Sequence, residues 1–252
     1  MNNHETIKKL NEMRLHGMVR ALKSSMETGH QTSYTSDELL AFIVESEWDD
    51  RQNRRLRNLV KKANFRYEAC FEELSYTTQR NLDKNTCLRL ATCEFLKQAE
   101  NVLITGPTGI GKSFLSSAIG NRACQLGYKV KYANMGKLFE QFRLFQADGS
   151  YMKQIAKIAK TDLLILDDFG IKPFDGQERL MLMEIMEDRH GRCSTVITSQ
   201  HPISSWYDVI GEATLADAIL DRLVHCSHKI KMEGSSMREV MKKNVASETK
   251  KK

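Results

Sequence analysis

The stretch Val102-Leu103-Ile104-Thr105-Gly106-Pro107-Thr108-Gly109-Ile110-Gly111-Lys112-Ser113 decides the fold of this 252-residue chain. It opens with an apolar run, and that run ends at Gly106. Gly106, Gly111, Lys112 and Ser113 then match the spacing G-x-x-x-x-G-K-[ST], a phosphate-binding P-loop between a strand and a helix. Gly106, Gly109 and Gly111 let the backbone curl with its N–H groups pointing inward. A helix that starts near Lys112 aims unpaired N–H groups and its positive dipole end at the phosphates. Lys112 suits the β- and γ-phosphates of ATP, and the Ser113 hydroxyl suits Mg²⁺. Downstream, Phe114, Leu115, Ala118, Ile119 and Ala123 recur at helical spacing, so the motif has its expected strand and helix.

A second apolar run, Leu163-Leu164-Ile165-Leu166, ends in Asp167-Asp168. A short continuous apolar run suits a buried strand of a parallel sheet. Carboxylates at its carboxyl end fall where open α/β sheets bind ligands. This pattern reads as a Walker B segment, with Asp167 toward Mg²⁺ and Asp168 orienting an attacking water.

Working outward, the chain predicts alternating elements. Ile7 to Leu22 has amphipathic helical spacing, with Gly29 as a stop. Thr35 and Glu38 resemble a capping box, opening a helix through Trp48 to about Ala63. Residues 64–84 read as a linker with Phe65, Tyr67, Phe71 and Tyr76 as anchors, and Asn85 to Gln98 as a helix. After the P-loop helix come a strand (Lys129 to Ala133) and helices over Met135 to Phe145 and Tyr151 to Lys160. Beyond the Walker B strand, Gly176 to His190 reads as a helix with Leu180, Met183, Ile185 and Met186 inward. A strand over Ser194 to Gln200, a helix over Ala213 to Val224 and a strand over His228 to Met232 follow. Such alternation implies a parallel sheet with right-handed crossovers.

No apolar run approaches the roughly 20 residues that cross a bilayer, and the amino terminus lacks the apolar core of a secretory signal. Six scattered cysteines without a C-x-x-C pair argue against zinc and suit reduced thiols in a cytoplasm. The net charge of +6 is unevenly placed. Arg51, Arg54, Arg55, Arg57, Lys61, Lys62 and Arg66 fall within residues 51–66, which contain no acid. A basic helix stripe of this kind is an electrostatic footprint of nucleic-acid binding, and the missing acids argue against a salt-bridged surface. The Lys-rich end, residues 241–252, reads as a disordered tail.

The segments LNEMRLHGMVRAL, GPTGIGKS, LLILDDFG and LADAILDRLVH together resemble the IstB-like ATP-binding proteins. These are AAA+ transposition helper ATPases related to DnaC-type helicase loaders. The resemblance implies an α/β fold: an AAA+ P-loop NTPase with a parallel sheet flanked by helices, preceded by a small all-helical N-terminal domain. The expected boundaries are 1–68 for the helical domain and 69–240 for the ATPase domain. It also implies ATP and Mg²⁺ as cofactors, with Gly106 to Phe114 (Pro107, Thr108 and Ile110 included) and Arg238 at the nucleotide. Gln200, or the neighbouring Ser199, falls at the sensor-1 position, Arg222 at the arginine finger acting on a neighbouring subunit, and Arg238 at sensor 2. The implied partners are duplex DNA, a transposase and further copies of the chain, with no membrane. Arg51, Arg54, Arg55, Lys61 and Lys62 are candidate DNA contacts. So are Lys137, Arg143, Lys153 and Lys157 in the insertion over Met135 to Lys160. The alternative within the same fold is a replicative helicase loader. One departure stands out: many AAA+ proteins have Asp-Glu in Walker B, whereas the second acid here is Asp168. Its carboxylate is pulled back by roughly 1.5 Å, which points to slow hydrolysis suited to a switch.

Overall fold

The computed structural model describes residues 3–28, 34–76 and 80–237. The chain divides into two compact units between Asn58 and Leu59, ten residues before the boundary expected from sequence.

In the first unit, α1 (Asn3–Glu12) and α2 (His16–Glu27) replace the single expected helix. The break falls at Arg14, whose φ of 58° cannot continue a right-handed helix. Helix α3 (Ser36–Ala63) begins at the expected capping box: the Thr35 N–H donates to Glu38 at 2.8 Å, and the Glu38 N–H to Thr35 at 3.3 Å. Inside this unit the buried Glu47 carboxylate accepts from the Gly17 N–H at 2.8 Å, at the start of α2. Gly29, read as a helix stop, lies outside the described residues.

The second unit begins in the last turn of α3. Phe71–Glu73 form a 3₁₀ turn in the segment that follows. Helices α4 (Lys84–Ala91) and α5 (Glu94–Lys97) stand where one helix was expected, because Cys93 at φ 58° interrupts them. The parallel sheet and its helices follow: β1 (Asn101–Thr105), α6 (Lys112–Gln125), β2 (Val130–Asn134), α7 (Met135–Ala147), α8 (Tyr151–Ala159) and β3 (Leu163–Phe169). Then come α9 (Gly176–Arg189), β4 (Ser194–Ser199), α10 (Trp206–Ile210), α11 (Ala213–Val224) and β5 (Ser227–Lys231). All pairings are parallel, in the order β2-β3-β4-β1-β5. Strands β1 and β4 are wholly buried, and β3 nearly so, which is why they read as continuous runs rather than alternating ones.

One inward face needs correction. Leu180 is exposed and Met183 half-buried, and the buried side of α9 is Glu178, Met181, Leu182, Ile185, Met186 and Arg189. Arg189 is fully buried beneath the sheet, where it donates to the carbonyls of Ile158 and Thr161 at 2.8 Å each and also to Ser194. It thereby ties α8, α9 and β4 together. Burial pulls its pKa down to about 10, so it stays charged at neutral pH. Replacing it leaves buried acceptors short of a donor. Arg189→Met is expected to cost about 2–4 kcal/mol by urea denaturation; a loss below about 0.5 kcal/mol would remove this arginine from the supports of the fold.

Candidate nucleotide site

The carboxyl ends of the strands bring the site together. The loop after β1 folds back so closely that a Cβ on Gly106 would collide with the carbonyl of Met232, just beyond β5. Gly111, at φ 99°, caps α6, and a Cβ there would come within 2.6 Å of the Arg80 guanidinium. Arg80 is itself buried. It donates to Ile110 O at 2.8 Å and Ser75 O at 2.7 Å, bracing the loop from below. Ile110 is buried, and Phe114 packs against Tyr67 with ring centroids 6.2 Å apart. The Lys112 ammonium donates to the carbonyls of Gly106 at 2.7 Å and Pro107 at 2.9 Å. Its burial lowers its pKa, against the pull of Asp168 and Asp167.

Asp167 is completely buried at the end of β3. Its Oδ1 accepts from Ser113 Oγ at 2.9 Å and from the Thr198 hydroxyl on β4. Its Oδ2 accepts from the Tyr132 hydroxyl on β2 and from Arg66 at 3.3 Å. Burial, then the bond to Asp167, pushes the Tyr132 pKa up, so Tyr132 stays a neutral donor. Asp168 has φ 63°, and the β3–β4 register shifts between Leu166 and Phe169. In an unbroken strand, consecutive side chains point to opposite faces. Here the bulge turns the two acids to a common side, so that Arg66 Nη1 lies 3.3 Å from Oδ2 of each. Asn134 at the end of β2 donates to Asp168 Oδ2 at 2.9 Å.

A cleft of about 410 Å³ opens over the loop, lined in part by Tyr67, Thr108, Lys112, Ser113, Asp168 and Gln200. Its size is in the range of small-molecule sites. Gln200 accepts from the Thr108 hydroxyl at 2.6 Å, across the cleft mouth. Ser199 instead turns inward to Phe169 O at 2.9 Å, and the β4 side chain on Asp167 is Thr198. Arg222 lies elsewhere. Its carbonyl accepts from Asn101, the first residue of β1, and its guanidinium pairs with Glu187 on α9. It therefore stands at the amino ends of the strands, opposite the P-loop. Arg238 lies outside the described residues.

The basic candidates are not all free. Glu47 and Asp50, one turn before the acid-free segment, pair with Arg51 at 2.8 Å and Arg54 at 2.8 Å. Reading 51–66 in isolation missed these upstream acids, so the inference against a salt-bridged surface is corrected for Arg51 and Arg54. Arg143 pairs with Asp175 and Glu178, and Lys157 donates to Gln154 at 3.1 Å. Arg55, Lys61, Lys62, Lys137 and Lys153 are exposed. Sequence reasoning missed Arg66, Arg80, Tyr132, Asn134 and Thr198. The signal for Tyr132, Asn134 and Thr198 was their position near the carboxyl ends of predicted strands.

This loop, acid pair and strand order define a P-loop nucleotide-binding fold. Among solved structures, that of DnaI is similar at a TM-score of 0.56 and 19% identity, over 70% of this chain and 93% of that one. The DnaC helicase loader is similar at 0.56 and 15%, over 66% and 96%. DnaA bound to AMPPCP and single-stranded DNA matches at 0.56 and 16%, over 73% and 56%. These likenesses concern the fold. The family of IstB-like ATP binding proteins matches residues 8–245, and the chain belongs to it. An insertion sequence ATP-binding protein of Sinorhizobium fredii, y4pL, is 40% identical over 93% of this chain and 96% of its own length. The IS21 ATP-binding protein of Pseudomonas aeruginosa is 26% identical over 93% and 89%. No helix among the described residues is long and apolar enough to cross a membrane.

The buried Asp167 carboxylate needs its hydroxyl donors even without any nucleotide chemistry. Tyr132→Phe is expected to lower stability by about 1–3 kcal/mol, read by chemical denaturation; an unchanged midpoint would mean that Tyr132 does not support Asp167.

Proposed function

We propose that this protein is an ATP-hydrolysing regulator of transposition that assembles on duplex DNA and presents a target site to a transposase. The observation that carries the reading is the separation of Arg222 from the P-loop. Strand β1 puts Asn101, which bonds Arg222 O, at one end and Thr105, which leads into the loop, at the other. At about 3.3 Å per residue that is roughly 13 Å along the strand, which keeps Arg222 from its own chain's nucleotide and supports the reading in which it serves another chain's. A head-to-tail contact between copies joins the two ends, and such contacts build rings or filaments.

Within one chain the roles divide by chemistry. The loop N–H groups and Lys112 bind the phosphates. Ser113 Oγ and Asp167 Oδ1, already 2.9 Å apart, form an oxygen donor pair that fits a hard divalent cation. Mg²⁺ held there would neutralise phosphate charge. Asp168 and Gln200 orient the attacking water, and the short Asp168 side chain keeps turnover slow. The exposed Arg55, Lys61, Lys62, Lys137 and Lys153 supply sequence-independent, salt-sensitive phosphate contacts to DNA. The identities of the insertion-sequence relatives, extending over nearly the whole chain, favour transposition over helicase loading.

Arg222→Ala tests the shared site. DNA-stimulated ATP turnover should fall at least tenfold, about 1.4 kcal/mol in barrier, while ATP affinity of the isolated chain stays within about twofold. An equal loss of ATP affinity would place Arg222 in a structural role. Turnover that is indifferent to duplex DNA, together with retention of a replicative helicase in a pull-down, would favour the loader.

A further inference from the structure

Arg66 belongs to the basic run by sequence, yet it points into the nucleotide site rather than outward. Its Nη1 lies 3.3 Å from Asp167 Oδ2 and 3.3 Å from Asp168 Oδ2. We propose that Arg66 is a displaceable counter-cation, competing with a divalent metal ion for the Asp167–Asp168 pair and giving way when the metal–nucleotide complex enters. The proposal rests on the reading that Ser113 and Asp167 hold Mg²⁺.

Two features favour displacement over permanent attachment. First, the other partners of Asp167 are fixed: Ser113 by α6, Tyr132 by β2 and Thr198 by β4. Arg66 is carried by the segment after α3, and its side chain is 42% exposed. Second, its contacts are long. Charge-assisted N–H···O bonds typically close to about 2.7–2.9 Å, so 3.3 Å leaves this pairing loose. In the same pose the guanidinium lies 5.6 Å from the centroid of the Tyr67 ring, within cation–π range, so not all of its stabilisation comes from the acids.

The charges disfavour joint occupancy. The acid pair, one member fully buried, needs a positive neighbour, and Arg66 supplies a single charge. A divalent ion supplies two and binds oxygen directly. Arg66 holds Oδ2 of Asp167, the other oxygen of the carboxylate whose Oδ1 pairs with Ser113, so a guanidinium left there would sit within a few ångströms of that ion and be repelled. Displacement has a structural address, because Arg66 follows Ala63, the last residue of α3, by three positions. Asn64, at φ 58°, is the turn between them. Metal loading is thus reported to the helix that carries Lys61 and Lys62. By reciprocity, a ligand that draws the end of α3 away raises metal affinity.

The test uses the full chain and a fluorescent ATP analogue (mant-ATP), titrated with Mg²⁺ and again with EDTA. If Arg66 competes with the cation, Arg66→Gln tightens binding in Mg²⁺ about five- to tenfold relative to wild type. Binding in EDTA stays the same or weakens. Arg66→Lys, which keeps the charge, stays near wild type. Weaker binding of Arg66→Gln in Mg²⁺ would make Arg66 a phosphate ligand and overturn the proposal, as would a Mg²⁺/EDTA ratio equal to wild type. A wild-type chain that binds mant-ATP equally well with and without Mg²⁺ overturns the cation site itself, and the proposal with it.

Discussion

Everything in the P-loop unit converges on one buried carboxylate. Asp167 is removed from water at the end of the interior strand β3, and an unpaired charge there would be prohibitively costly. It is tolerated because β2, β4 and α6 each send a hydroxyl to it, from Tyr132, Thr198 and Ser113. The same contacts that make the charge bearable lock the P-loop helix to the sheet. Fold and site are therefore one construction: the register of β2, β3 and β4 is also the geometry of the acid pair.

A bulge adds the second acid. Asp168 takes a left-handed conformation that aspartate tolerates better than most residues, and this aims it to the same side as Asp167. Local strain of this kind, on the order of 1–3 kcal/mol, persists where surrounding contacts over-determine it. Here those contacts are Asn134 Nδ2 and the Thr198 hydroxyl, which accepts from the Asp168 N–H at 3.2 Å. The acids thereby face the cleft together, next to Lys112 and Ser113.

The sheet was legible in the sequence because buried parallel strands must be written as short apolar runs, and VLIT, LLIL and STVIT were. The helix over Ala213–Val224 agrees with the structure in both bounds, and the others differ by a few residues. The two expected helices that proved broken, at Arg14 and Cys93, turn on single left-handed residues. Neither is a glycine or proline, so local propensity gave no warning. The site was legible where a motif fixes a role by spacing. It was not legible where a role depends on three-dimensional meeting. Arg66 lies about a hundred positions from Asp167, and its basic neighbours disguised it as part of a surface stripe. Arg80 looked like an ordinary linker residue until the P-loop carbonyl it holds was in view. The pairing of Arg51 and Arg54 came from acids one helical turn outside the window that defined the basic run.

The central claim is that one chain's nucleotide is completed by another chain's Arg222. Mixing two inactive variants tests it most directly: Asp168→Asn, which keeps Arg222, and Arg222→Ala, which keeps the acid pair. On duplex DNA, the mixture should recover ATP turnover that neither variant shows alone, because some interfaces then combine an intact acid pair with an intact arginine. A mixture as inactive as its components, under conditions where the two variants co-assemble, would contradict a site shared between chains.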